Sequence, residues 1–181
     1  MGAIDYLKHY TYEDYKEWEG QWELYEGYPV AMSPAPMITH QALAANIMFE
    51  LKSTMGECER CVVIAEADYK IADDTIVRPD VALICDEPHD AYITRAPEII
   101  AEVISPSTAK NDEGYKFRRY EAEKVKYYIV VYPDELYAKV YKLKDGKYDK
   151  QGDFSKERYN FEETLCGASI DFDKVFKRFR K

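Results

Sequence analysis

Asp80 and Glu102 are carboxylates in places where a carboxylate is costly. Asp80 interrupts Ile76-Val77-Arg78-Pro79-Asp80-Val81-Ala82-Leu83-Ile84-Cys85, and Glu102 interrupts Ile99-Ile100-Ala101-Glu102-Val103-Ile104; both runs otherwise read as buried strands. An ionised carboxylate taken out of water needs a cation, a metal or a strong donor beside it. Two of them in adjacent strands suggest one shared cation. With a lysine nearby they make the set of groups used in metal-dependent phosphodiester hydrolysis. The carboxylates hold a hard divalent cation such as Mg²⁺, which polarises a phosphate and acidifies a water, and the lysine orients that water or offsets charge in the transition state. Carboxylates paired structurally with Arg78 or Arg95 would leave the same pattern, so the residues alone leave both readings open.

The elements that would position these groups follow from local signals. Thr11-Tyr12-Glu13-Asp14 fits a capping box, with Gly20 as the stop of a short helix. Gln21 to Tyr25 and Tyr28 to Met32 read as a hairpin turned at Glu26-Gly27. Ser33-Pro34-Ala35-Pro36 breaks regular structure, and a helix from Thr39 to Thr54 should bury Ala42, Ala45, Ile47, Met48 and Leu51. His40 falls in its first turn. Cys61 to Glu66 and Tyr69 to Ile71 are short strands, and residues 72–75 supply a turn. Pro79 removes a backbone donor, so the strand carrying Asp80 must begin, bulge or lie at an edge there. Glu98 to Ile104 is the second central strand, stopped by Ser105-Pro106-Ser107-Thr108. A helix with a wet face follows from Ala109 to Lys124, then a strand from Val125 to Tyr132 and its partner from Ala138 to Leu143. Residues 145–160 read as polar and turn-rich, Ser169 to Phe172 as a late strand, and Asp173 as the cap of a basic helix. The expected fold class is α/β, with a mixed central sheet flanked by helices, in one domain spanning residues 1–181.

Length and composition agree with that. A chain of 181 residues, 46% hydrophobic and 33% charged, can bury one full core, and no run is long enough for a membrane span. Residues 1–30 carry charges at short intervals and lack the pattern of a secretory signal, so a cytoplasmic location is expected. The balance of 25 basic and 34 acidic residues, −9, argues against a generally basic coat, so any contact with DNA must be local. Lys110, Lys116, Arg118, Arg119, Lys124 and Lys126 form one basic segment, and Lys174, Lys177, Arg178, Arg180 and Lys181 another. Cys58-Glu59-Arg60-Cys61 is a Cys-x-x-Cys pair, but His9, His40 and His89 lack the spacing that would complete a zinc site. Reduced, partly buried thiols are therefore expected of Cys58, Cys61, Cys85 and Cys166.

Several linked motifs resemble those of the Uma2-type proteins, a bacterial group described as restriction endonucleases of the PD-(D/E)XK nuclease superfamily. They are Trp22-Glu23-Leu24-Tyr25-Glu26-Gly27 followed by Met32-Ser33-Pro34 and His40, then Arg78-Pro79-Asp80-Val81, then Ala101-Glu102-Val103-Ile104-Ser105-Pro106-Ser107-Thr108, and finally Asp112, Lys116, Tyr120 and Tyr127-Tyr128-Ile129-Val130-Val131. The resemblance implies a restriction-endonuclease-like core and a Mg²⁺-dependent DNA endonuclease, with Mn²⁺ as a substitute. Asp80 and Glu102 would bind the cation, and the Val103 carbonyl would add a third ligand. The superfamily's Glu-x-Lys lysine is replaced by Ile104, which leaves Lys116 on the following helix as its candidate and Lys110 as the rival. Glu23 and His40 would complete the site by holding a second metal or a water. Lys126-Tyr127-Tyr128 stands where the family commonly has Glu-Tyr-Trp. A homodimer is expected of a single-site protomer that cuts two strands. The alternative is a non-catalytic nucleic-acid-binding or interaction protein that keeps the nuclease fold without turnover.

Overall fold

The computed structural model of the chain describes residues 8–32 and 37–181; the predicted break at Ser33-Pro34-Ala35-Pro36 lies outside them. In order the chain forms α1 (Tyr12–Tyr15), β1 (Trp22–Tyr25), β2 (Tyr28–Ala31), α2 (Ile38–Thr54), β3 (Cys61–Ala65), β4 (Tyr69–Ala72), β5 (Thr75–Val77), β6 (Val81–Cys85) and β7 (Ile99–Val103). A π-helical turn, Asn111–Tyr115, then leads into α3 (Lys116–Ala122), followed by β8 (Tyr127–Tyr132), β9 (Tyr137–Lys144), β10 (Lys147–Phe154), β11 (Arg158–Phe161), β12 (Ala168–Asp171) and α4 (Phe172–Phe176). Among the described residues no helix is long and apolar enough to cross a membrane.

The central sheet has six strands in the order β10-β9-β8-β7-β6-β3. It is mixed, as expected: β7 and β8 run parallel, with Glu102 opposite Val130, and the other pairs are antiparallel. Parallel neighbours need a crossover, and α3 supplies it. The period of two then sorts each strand by face. Ile99, Ala101 and Val103 pack with Leu43, Ile47 and Leu51 of α2. Ile100, Ile104, Tyr128 and Val130 pack with Tyr120 of α3 on the other side. Glu102 shares the parity of Ile100 and so belongs to the α3 side.

A second sheet, β2-β1-β5-β4, covers that side of the molecule. Its hairpin turns at Glu26 and Gly27, both with positive φ (49° and 83°), the requirement of a two-residue turn that matches strand twist. The run around Pro79 is not one strand. β5 belongs to the four-stranded sheet and β6 to the six-stranded one, and Arg78-Pro79-Asp80 is the crossing between them.

Several expectations need correction. The buried side of α2 is Leu43, Ile47, Glu50 and Leu51, while Ala45 is exposed. Glu50 is tolerated because it accepts from the Asp171 N–H at 3.1 Å. Residues 145–160 hold β10 and the start of β11, which escaped notice because neither strand has a continuous apolar face. The cap of α4 is Asp171, which accepts from the Asp173 N–H, rather than Asp173 itself. Finally, the four cysteines are not separate thiols but are joined as Cys58–Cys166 and Cys61–Cys85.

Candidate active site

Asp80 stands where the chain passes from one sheet to the other, and it is locked there by reciprocal backbone bonds. Its own N–H donates to Glu102 Oε2 at 3.2 Å, and its Oδ2 accepts from the Val103 N–H at 2.7 Å. Each carboxylate is thus held by the backbone of the other's segment. His40, on the first turn of α2, brings Nε2 to 3.3 Å from the same Asp80 Oδ2. The Val103 backbone carbonyl also lies beside the His40 ring.

Glu102 is 2% exposed. Its Oε1 is 3.1 Å from Lys116 Nζ and accepts from the Tyr120 hydroxyl at 2.9 Å. Lys116, itself 4% exposed, also lies 2.8 Å from Glu23 Oε1 and 3.6 Å from Asp112 Oδ1. Asp112, Lys116 and Tyr120 follow one another at spacings of four, and the widened turn Asn111–Tyr115 starts this face; the Tyr128 hydroxyl pins it by donating to the Asp112 carbonyl at 2.8 Å. Glu23 is fully engaged. Its Oε1 also accepts from the Arg78 N–H at 2.7 Å, and its Oε2 from the Tyr25 hydroxyl at 2.6 Å.

The electrostatics follow from burial and an excess of acid. Burial pushes the Glu102 carboxyl well above its usual range; Lys116 opposes this, while Asp112, Asp80 and Glu23 add to it. Asp112 is pushed up to about 6, first by burial. Burial works against the Lys116 charge, but Glu102, Glu23 and Asp112 outweigh it and hold the ammonium protonated well above the usual lysine range. Burial and the nearby carboxylates raise the Tyr120 phenol, so it remains a neutral donor. For His40 burial favours the neutral ring, but Asp80 and the Val103 carbonyl prevail and the net shift is upward.

Glu23, Asp80, Glu102 and Asp112 therefore converge on one ammonium and one imidazole, a set still acidic enough to accept a cation. The donor set suits a hard divalent ion: two carboxylates and a carbonyl are the sparse oxygen shell that Mg²⁺ completes with water. His40 Nδ1 is buried without a hydrogen-bond partner among the described residues, so its hydrogen-bonding capacity is unused.

Asp80, Glu102, Val103, His40 and Lys116 are thus brought together, and Glu23 joins them from β1 on the Lys116 side. Lys110 is exposed and takes no part. The competing arrangement with arginine is absent: the Arg78 guanidinium pairs with Asp68 at 2.7 Å, and Arg95 donates to the Asp86 carbonyl at 2.8 Å. Ile104 sits in the apolar cluster under α3. Tyr25 was missed, although its two-residue spacing from Glu23 puts both on one strand face. Asp112 and Tyr120 were noticed without a role, and their four-residue spacing about Lys116 was the available signal.

Comparison with known proteins identifies the fold and the family. A solved structure from Anabaena variabilis ATCC 29413, titled as a "putative nuclease belonging to DUF820", superimposes with a TM-score of 0.72 over 93% of this chain and 98% of that one, at 16% identity. At that identity the match speaks for the fold alone. The protein slr1290 of Synechocystis sp. (strain ATCC 27184 / PCC 6803 / Kazusa) is 32% identical over 120 residues, and this chain spans 60% of its length. The sequence profile of the Uma2 family, described as "Putative restriction endonuclease", matches residues 11–172. The chain belongs to the Uma2 family and carries its nuclease-like fold.

Proposed function

We propose that this protein is a divalent-metal-dependent endonuclease that hydrolyses DNA phosphodiester bonds, with Mg²⁺ as its cation and Mn²⁺ as a substitute. The observation that carries the reading is the excess of buried carboxylate around one lysine, with Glu102 shared between the Asp80 backbone and the Lys116 ammonium. Asp80, Glu102 and the Val103 carbonyl would hold the ion. Once bound, it supplies Lewis acidity toward the scissile phosphate and toward water. Lys116 opposes the effect of burial on Glu102 and so favours its ionised form, and it would offset negative charge that builds on the phosphate. Tyr120 fixes the rotamer of Glu102 through its hydroxyl. His40 sits where it can steer Asp80 or exchange a proton with a water. Glu23, which the resemblance would have hold a second metal or a water, has both oxygens engaged and is read as the counter-ion that aims Lys116. A two-fold dimer is how one site per protomer reaches both strands.

Incubation of supercoiled and linear DNA with the purified protein in Mg²⁺, Mn²⁺ or chelator tests this. Cutting should need the metal and vanish in Asp80→Asn and Glu102→Gln. Metal-dependent cutting that survives both substitutions sinks the assignment. The second reading, a nucleic-acid-binding protein without turnover, is favoured by Ile104 at the usual lysine position and by the occupied state of Lys116. Calorimetric titration with Mg²⁺ and Mn²⁺ separates the two, since a degenerate site shows no metal binding that depends on Asp80.

A further inference from the structure

We infer that Cys58, Cys61, Cys85 and Cys166 form a tetrathiolate zinc site when the chain is reduced, at the end of β6 remote from Asp80. The four come from three separate places. Cys58 lies in the turn between α2 and β3, Cys61 opens β3, Cys85 closes β6, and Cys166 lies in the turn between β11 and β12. The sulfurs of Cys58, Cys61 and Cys166 all lie within 4.8 Å of one another. Among the described residues no other His, Cys, Asp or Glu set brings three side-chain ligand atoms so close. Cys85 joins the group because its sulfur is bonded to that of Cys61. Four thiolates at ~2.3 Å from a tetrahedral zinc ion stand roughly 3.8 Å from one another; three of the four sulfurs already lie within 4.8 Å of one another, and on reduction each bonded pair separates, with Cys85 turning in to take the fourth position.

Two further features favour a metal over the pair of disulfides as the reduced chain's way of using these residues. Cys58 and Cys61 are spaced as a metal knuckle, and the second pair that sequence spacing could not find is Cys85 and Cys166. Cys61 and Cys85 are also directly opposed in register, with Cα atoms 4.0 Å apart, short of the ~4.4–6.8 Å that a disulfide usually spans. The surrounding backbone holds them in place: the Asp86 N–H donates to the Arg60 carbonyl at 2.8 Å, tying the Cys58–Cys61 turn to the end of β6.

The site would clamp the C-terminal unit to the sheet. β3 is an edge strand, and β12 meets α2 through Thr54 Oγ1, which donates to the Ser169 carbonyl at 2.8 Å. Cys166 adds a bond from that unit to the β3–β6 edge. The chemistry balances. A phosphine and one water convert each disulfide to two thiols and a phosphine oxide, and Zn²⁺ then displaces the four thiol protons into solvent.

The test uses the full chain, reduced with a phosphine under argon, equilibrated with Zn²⁺ and freed of excess by gel filtration, with circular dichroism to verify the fold. One zinc per chain by elemental analysis is expected. Replacement by Co²⁺ should give thiolate-to-cobalt charge transfer and the intense d–d bands of a tetrahedral centre. Cys85→Ser and Cys58→Ser should lose the zinc, and Glu102→Gln should keep it, which separates this site from the carboxylate cluster. A folded, reduced chain that retains no zinc overturns the proposal and leaves the cysteines to their disulfides. Zinc retained without a thiolate cobalt spectrum, or retained by both serine variants, overturns it equally.

Discussion

Lys116 is the residue on which most of the cluster depends, because it is the ammonium that faces the buried carboxylates of Glu23, Glu102 and Asp112. Lys116→Met conserves the length of the side chain and removes the charge. Three carboxylates are then buried without their cation, which costs about 3 kcal/mol of stability. Loss of charge stabilisation at the phosphate lowers cleavage by roughly 10²–10³-fold. Denaturation and cleavage assays on the same preparation check both, and a variant that cuts at the original rate removes Lys116 from the chemistry. Asp112 gives the pH signature of the cluster. Its carboxyl is raised from 3.8 to about 6, so between those values the folded chain holds a proton that the unfolded chain has released. Stability is then fully present below the lower value and falls as pH rises through the upper one. In chelator, Asp112→Asn should flatten that fall and be more stable than the original chain at pH 7 by on the order of 2 kcal/mol. Denaturation curves at pH 4 and pH 7 decide it: an unchanged slope means the Asp112 proton is not linked to folding.

At the scale of elements, most strands and the two clustered carboxylates were legible, the strands by their apolar runs and the carboxylates by departing from them. Asp80 and Glu102 interrupt apolar runs, and Pro79 announces that a strand cannot simply continue. The direction of Lys116 was not legible, since the turn Asn111–Tyr115 is wider than an α-helical one and shifts every later side chain around the axis. β10 was illegible for another reason: its residues are mostly half-exposed or exposed, so no alternation marks them. Residues 86–97 join β6 to β7 at the end of the pair away from Asp80. Glu87 holds this loop as an acceptor: Oε2 takes the Thr94 and Arg95 N–H groups at 2.8 and 2.9 Å, and Oε1 takes the Thr94 hydroxyl at 2.6 Å and the His89 N–H at 3.1 Å. Burial would raise this carboxyl, but these donors outweigh it and hold it below its usual range. A depressed value means stability that is present above the unfolded pKa and lost as pH falls through the folded one. Glu87→Gln should therefore cost about 1–2 kcal/mol at pH 7. The gap between the two proteins should close toward pH 3, and a gap that is the same at both pH values refutes the ionic reading.

For the molecule as a whole, the long-range pairings stayed hidden in the sequence. Cys58 and Cys166 are 108 residues apart, and no local period connects them. Net charge was legible, and its consequence for DNA can be sharpened. The chain carries −9, so its field repels a polyanion and only basic groups near the site can offset this. Of the basic segment around α3, Lys116 is buried in the cluster, Arg119 lies 3.1 Å from Glu123, and Lys126 lies 2.8 Å from Glu98. Lys110 and Arg118 are exposed on the same helical segment as Lys116. Two phosphate contacts release few counterions, so the logarithm of the DNA association constant should fall against the logarithm of salt concentration with a slope of about −2. Each of Lys110→Ala and Arg118→Ala should make it shallower by about 1. Fluorescence anisotropy with labelled duplex and Glu102→Gln, over a series of salt concentrations, measures the slope without cleavage. A slope of roughly −6 or steeper, or one untouched by both substitutions, places the DNA on a different and larger basic surface, for which the C-terminal residues Lys177, Arg178 and Lys181 are the next to replace.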